Sequence, residues 1–230
     1  MAPFFCGRLF VPNRSIIYID GLNLYYSARR YFGGPKSKGW KWLDVERYFR
    51  LIRQDDDIQV IKYFTSLVRG PSQGNQKPFL AALKTLPKVE VVYGKFKDKT
   101  VTRWITLCGG SIASHLIIKT VEEKRTDVSI ALHMVCDAID NKCDRSVLVS
   151  GDTDLVPALE RIKERSPSKE ICLYVPSGTA PHLRVQREAE ELWALADKPA
   201  YLNMALMQKC QLPATLTGTL GKSVQKPSDW

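Results

Sequence analysis

The stretch Ser15-Ile-Ile-Tyr-Ile-Asp20 is a continuous apolar run that ends on an acid. Residues 22–32 follow it with Leu24, Tyr25, Ala28 and Tyr31 at helical spacing, so a buried strand passes directly into a helix. The same order returns at 145–150, where Val147-Leu-Val149 forms an apolar centre, followed by a helical pattern over 155–165. Between and beyond these, strands are expected at 58–68, 89–96 and 170–175. Helices are expected at 44–52, at 76–86 ahead of Pro87, from a cap at Thr126 or Asp127 to Ile139, and at 182–195. Such alternation predicts an α/β fold, a three-layer α/β/α sandwich with a mainly parallel, Rossmann-like central sheet. Residues 97–120 show no legible period. Residues 1–13 read as an N-terminal extension, 14–205 as the domain, and 206–230, rich in Thr, Gly, Lys, Ser and Pro, as a disordered tail.

In open sheets of this kind ligands bind beyond the carboxyl ends of the strands, so the polar groups there are the candidates for function. The first strand delivers Asp20, followed by Gly21-Leu-Asn23. The strand at 145–150 delivers Ser150-Gly-Asp-Thr-Asp154, and Asp127 opens the helix that precedes it. Three segments thus bring carboxylates to one edge. Acids a few ångströms apart repel by a few kcal/mol per pair at an effective dielectric near ~20, which protons or a cation must offset. Oxygen-only ligands suit a hard divalent cation, Mg²⁺ or Mn²⁺, which polarises phosphate and activates water. Each acid taken alone has a plainer role: Asp127 as a helix cap, Asp152 and Asp154 as turn residues, Asp20-Gly21 as a turn pair. Haloacid-dehalogenase-type phosphatases place a second Asp two residues after the first, and here Asn23 stands at the fourth position. Toprim domains expect a Glu after the first strand.

The 230 residues carry 34 Lys and Arg against 24 acids, a net charge of +10, which favours a polyanionic partner, most commonly nucleic acid. With 44% hydrophobic and 25% charged residues the composition is that of a globular domain. No apolar run has the length of a membrane helix and no secretory leader is expected. Six cysteines are scattered without a C-x-x-C pair; Cys136 and Cys172 read as buried thiols, which suits a reducing cytoplasm.

Three stretches, Ile19-Asp-Gly-Leu-Asn-Leu24, Glu122-Glu-Lys-Arg-Thr-Asp-Val128 and Val149-Ser-Gly-Asp-Thr-Asp-Leu155, resemble the three motifs of NYN domains. These belong to the PIN-like superfamily, and the likeness is greatest to the LabA-like branch, over roughly residues 14 to 198. Lys41-Trp-Leu-Asp44, Tyr63-Phe-Thr65 and 86–94 agree with it. The resemblance implies a metal-dependent endoribonuclease. It implies that Asp20, Asp127, Asp152 and Asp154 bind metal directly or through water, that Asn23 orients metal-bound water or phosphate, and that Ser150 makes a polar contact at the rim. Arg125 stands where the pattern has glycine, adding a cation suited to phosphate. Some LabA-like proteins have mainly regulatory roles, which keeps an RNA-binding module beside the enzyme reading, and a small-substrate phosphatase or nucleotide hydrolase is the third alternative.

An RNA substrate calls for basic and aromatic groups near the acids. Lys38 and Trp40, in a basic loop after Gly33-Gly34, suit phosphate contact and base stacking. Arg103, Lys119, Lys124 and Arg125 lead to Asp127 and are expected to meet substrate. Lys95, Lys97 and Lys99 share one face of a continued strand, either for substrate or to protect an edge. His133 reads as structural. A homo-oligomer is compatible with everything above.

Overall fold

The computed structural model describes residues 12–68, 73–106, 112–181, 188–218 and 221–230, with 96–106 and 112–124 described by their backbone. Along the chain run β1 (Asn13–Asp20), α1 (Gly21–Tyr31), α2 (Val45–Ile52), β2 (Asp56–Thr65), α3 (Gln73–Leu83), β3 (Val89–Tyr93), β4 (Lys95–Thr106), β5 (Ile112–Lys124) and α4 (Thr126–Ile139). Then come β6 (Arg145–Val149), a 3₁₀ turn (Thr153–Leu155), α5 (Val156–Arg165), β7 (Glu170–Val175), α6 (Glu190–Leu195), β8 (Lys198–Tyr201), α7 (Met204–Met207), β9 (Thr215–Thr217) and β10 (Ser223–Gln225).

Six strands form one sheet in the order β3-β2-β1-β6-β7-β8, and every pairing within it is parallel. β1 and β6 lie at its centre and are buried on both faces, which explains their unbroken apolar runs. Alternate residues serve opposite layers. Ile17 and Ile19 pack with Trp40, Trp42, Tyr48 and Phe49 under α1, α2 and α3. Ile16 and Tyr18 pack with Ile130, Met134, Leu159 and Ile162 under α4 and α5. The three-layer α/β sandwich is therefore present. On the α4 side the buried Asp137 carboxylate accepts from Lys62 Nζ at 2.5 Å and Tyr18 OH at 3.0 Å, and Lys62 also meets His133 Nδ1 at 3.0 Å. His133 is thus a structural residue.

Several local expectations differ from what is observed. The described parts of the illegible 97–120 region, 97–106 and 112–120, belong to an antiparallel ribbon, with β4 paired to β5 from Lys95↔Lys124 to Thr106↔Ile112. A two-stranded ribbon outside the main sheet breaks the strand–helix alternation by which the rest of the chain is read. Residues 182–187 of the expected final helix lie outside the described residues, and α6 is the part observed. Cys136 is exposed, whereas Cys172 is buried as expected. α4 begins after Arg125, with Thr126 and Asp127 inside its first turn. The expected disordered tail instead packs: Leu212 N donates to Trp42 O at 2.9 Å, Trp42 Nε1 donates to Pro213 O at 2.8 Å, and Trp230 stands edge-on to Trp42. Its composition hides this because its few apolar residues dock singly on the folded domain.

Candidate metal centre

The sheet order reverses between β1 and β6: chain connections leave β1 toward β2 on one side, and β6 toward β7 on the other. The carboxyl ends of these two strands therefore border a crevice, the place where open α/β sheets bind ligands. Asp20 ends β1 and is 5% exposed. Asp152 follows β6 by three residues, and Asp127 enters from the first turn of α4. One carboxylate oxygen from each lies within 4.8 Å of the others, which makes these three a candidate cation site.

All three acids stand at the start of helical turns. Asp20 caps α1, accepting from Asn23 N at 3.0 Å, and Asp152 caps the 3₁₀ turn, accepting from Asp154 N at 3.0 Å. Asp127 sits at the amino end of α4. The partial positive charge and spare N–H groups of such ends offset part of the mutual repulsion. Ser150 ties two acids together: its hydroxyl donates to Asp20 Oδ2 at 3.2 Å and accepts from Asp152 N at 3.1 Å. Asn23 Oδ1 accepts from Gly151 N at 3.1 Å, locking the α1 entrance to the β6 loop. Gly21 lets the elements meet; a β-carbon there would fall 2.7 Å from Phe64 O and 2.6 Å from the Tyr63 ring. Burial raises the Tyr63 phenol, and the charge of Asp20 raises it further.

The residues anticipated from sequence separate into three groups. Asp20, Asp127 and Asp152 converge, and Asn23 joins their supporting loops. Asp154 is exposed and lies outside the group of three. Ser150 corrects the expectation of a rim contact: it is fully buried beneath the acids, so it holds them and does not face substrate. Trp40 corrects the expectation of an open stacking platform. It is 1% exposed, stacks on Phe32 with 14° between ring planes, and donates through Nε1 to Ser37 Oγ at 2.8 Å. A large indole stabilises more inside a core than on a loop, which decides its placement. Lys38 and Arg125 are exposed, and Arg125 has a left-handed backbone (φ 79°). The side chains of Arg103, Lys119 and Lys124 lie outside the described residues, on described strands.

Beside the acids runs a feature that sequence reading missed. A cleft of about 270 Å³ begins at Gly21 and Leu22 and is lined by Tyr25, Tyr26, Arg29, Lys41, Phe79 and Trp230, among others. The sequence signal was Leu22, Tyr25, Tyr26 and Arg29 on one face of a helix that starts at a candidate ligand. What conceals it is that the facing wall comes from α3 and the far C-terminal segment.

The family model described as NYN domain matches residues 14–190. The chain is similar to 6-hydroxy-3-succinoylpyridine 3-monooxygenase HspA of Pseudomonas putida (strain DSM 28022 / S16), 29% identical over 248 residues, covering 95% of this chain and 76% of that protein. It also resembles the crystal structure of a protein of unknown function from Vibrio parahaemolyticus RIMD 2210633, with a TM-score of 0.54 and 23% identity, over 84% of this chain and 94% of that one. The latter likeness concerns the fold. Among the described residues no helix is long and apolar enough to cross a membrane.

Proposed function

The chain belongs to the NYN domain family of the PIN-like nuclease superfamily, and on that premise we propose that it is a divalent-metal-dependent endoribonuclease. The observation that carries this reading is the convergence of Asp20, Asp127 and Asp152 at the point where the sheet order reverses. Their donor set is all oxygen, which fits Mg²⁺ or Mn²⁺. A cation held by Asp20, Asp127 and Asp152 would supply positive charge beside the scissile phosphate and would lower the pKa of a water bound to it. The rest falls to the protein. Ser150 and the helix ends fix the carboxylates before substrate arrives, so little reorganisation remains to be done during reaction. Asn23, its Oδ1 occupied by Gly151 N, offers an amide N–H to water or phosphate, and Asp154 stands beside Asp152 to orient water. Arg125, two residues before Asp127, takes a phosphate next to the cut, and Lys124 and Arg103 on the adjoining ribbon, with Lys38 on its loop, extend the basic path for the rest of the strand.

The test is cleavage of mixed single-stranded and structured RNA by wild type and Asp152→Asn in Mn²⁺, Mg²⁺ and EDTA. Fragments are expected from wild type with metal only. The Asn variant should melt no lower than wild type in EDTA, because one repelling charge leaves while Oδ1 still accepts from Asp154 N. Absence of cleavage with every metal, RNA binding being retained, would turn the reading toward a binding module. Phosphate release from mononucleotides would turn it toward a phosphatase.

The aromatic cleft, taken with the name of the Pseudomonas putida relative, favours a second reading in which a small substituted pyridine is the substrate. Oxygen consumption on adding such a compound together with a two-electron donor such as a reduced nicotinamide, with no RNA cleavage, would select it.

A further inference from the structure

We infer that the cleft beside the acids receives one unpaired base of the RNA strand, so that the phosphodiester next to that base is presented to Asp20, Asp127 and Asp152. This rests on the nuclease reading and adds a substrate form to it: single-stranded, with a splayed base at the cut.

Continuity comes first. The cleft begins at Gly21 and Leu22, the residues directly after Asp20, and Tyr63 lines it while lying against the Gly21 backbone. Chain continuity thus joins one lining segment of the cleft to a residue of the acid cluster, so a strand whose phosphate sits at the acids has the cleft within reach of its neighbouring nucleotide. The walls supply the second argument. Tyr25 and Tyr26 stand edge to face at 5.4 Å, Phe79 and Trp230 pack at a 53° tilt with centroids 5.7 Å apart, and all four line the cleft with aromatic rings. Every base has a π-face, and stacking on such rings contributes about 1 to 3 kcal/mol per base. The third argument is size. At about 270 Å³ the cleft falls just below the ~300 to 1,000 Å³ of ordinary ligand pockets, which suits one ring system and excludes a base pair. Charge is the fourth. Arg29 and Lys41 line the cleft, and Lys41 Nζ is held in place by donating to Pro35 O at 2.8 Å. An apolar hole for a lipid or a buried peptide side chain has no need of two cations, whereas the ribose phosphate attached to a base does. Trp230 is kept in position from behind, since the adjacent Asp229 accepts from Asn75 Nδ2 at 2.8 and 3.1 Å.

The experiment uses the full chain carrying Asp152→Asn, in Mg²⁺, with a dye-labelled single-stranded RNA read by fluorescence anisotropy. A series of the same RNA carries a single abasic residue moved along it one position at a time. One position is expected to weaken binding about 10-fold, in line with the stacking range. Tyr26→Ala, at a side chain already 47% exposed and so outside the core, should abolish that position dependence, and Tyr26→Phe should preserve it. A flat abasic series, or unchanged position dependence in Tyr26→Ala, overturns the inference; if wild type still cuts RNA, the nuclease reading stands without it. A position-specific abasic effect with no cleavage in any metal keeps the base site and sinks the nuclease reading instead. Displacement of the RNA by pyridine-3-carboxylate but not by adenosine monophosphate overturns the inference in favour of a small-molecule occupant.

Discussion

Gly21 and Arg125 show how closely single residues govern the placement of the acids. Gly21 follows Asp20 in the chain, and its missing side chain is what allows the start of α1 to lie on the β2 backbone at Phe64 and on the Tyr63 ring. In Gly21→Ala the new carbon meets a carbonyl oxygen that cannot rotate away, so α1 must shift. A loss of about 1 to 3 kcal/mol is expected, as for overpacking generally, together with weaker Mn²⁺ binding by calorimetry because Asp20 moves with the helix. Unchanged stability would mean that the two elements are less tightly joined than described. Arg125 presents the opposite case. It adopts φ 79°, a conformation glycine takes freely and a side chain pays for. Arg125→Gly should therefore be more stable than Arg125→Ala by about 1 kcal/mol in urea titrations, since only the glycine relieves the left-handed turn. Both should reduce the salt dependence of RNA binding by about one phosphate contact. The reverse order of stability would show that the turn is not left-handed in solution.

Elements were legible from sequence wherever burial imposes a period. β1, β6 and β7 are buried nearly throughout and read as apolar runs, while α2 and α5 present one apolar face and read at helical spacing. The three converging acids were legible for the same reason, because strand ends are the sharpest boundaries in such a pattern. What stayed hidden depends on contacts between distant segments. The β4–β5 ribbon pairs within itself and apart from the main sheet, so the alternation of strand and helix that marks that sheet does not extend to it. Trp40, among lysines, carries no local sign of entering the core, whereas Trp42 is buried ahead of α2 as its place before a helix start suggests. The C-terminal segment is the largest case: a bridge between Leu43 and Gln211, and the hydrogen bond from Asp44 N to Cys210 O at 2.8 Å, attach it to a loop more than 160 positions earlier. Trp230 completes that attachment against Phe79 and Trp42. Because it is partly exposed, Trp230→Ala should cost about 1 to 3 kcal/mol, less than a fully buried aromatic. It should also open one wall of the cleft. Equilibrium denaturation measures the first effect. A variant as stable as wild type would show that the segment does not hold the domain together.

Across the whole molecule the two ends of the sheet carry different electrostatic arrangements. The carboxyl end gathers Asp20, Asp127 and Asp152, an all-oxygen donor set suited to a cation. The amino end is neutralised internally: Asp56 lies between Arg53 and Arg145, and Glu170 accepts from Arg145 at 2.5 Å and pairs with Lys198 at 3.1 Å. Burial alone would raise the Glu170 carboxyl, but hydrogen bonds from Arg145, Cys172 and Lys198 overcome this and hold it down at about 2. At the same end, where β1 and β6 begin, the Arg14 guanidinium holds Asp144 at about 2. Both acids ionise more readily folded than unfolded, so their stabilisation is complete above an ordinary carboxylate value near 4.5 and is lost as the pH falls from there toward 2. Glu170 supplies most of the effect, up to about 3 kcal/mol, while Asp144, with 41% of its side chain exposed, is screened and supplies a fraction of that. Melting temperature should therefore be level down to about pH 5 and fall below it. In Glu170→Gln the protein should be weaker at pH 7, because Arg145 keeps its burial and loses half its neutralisation, and the gap should close by about pH 2. A gap that persists unchanged to pH 2 would mean that Glu170 acts by packing and not by charge. A fall shared between wild type and variant would instead move the acid-sensitive step to other carboxylates.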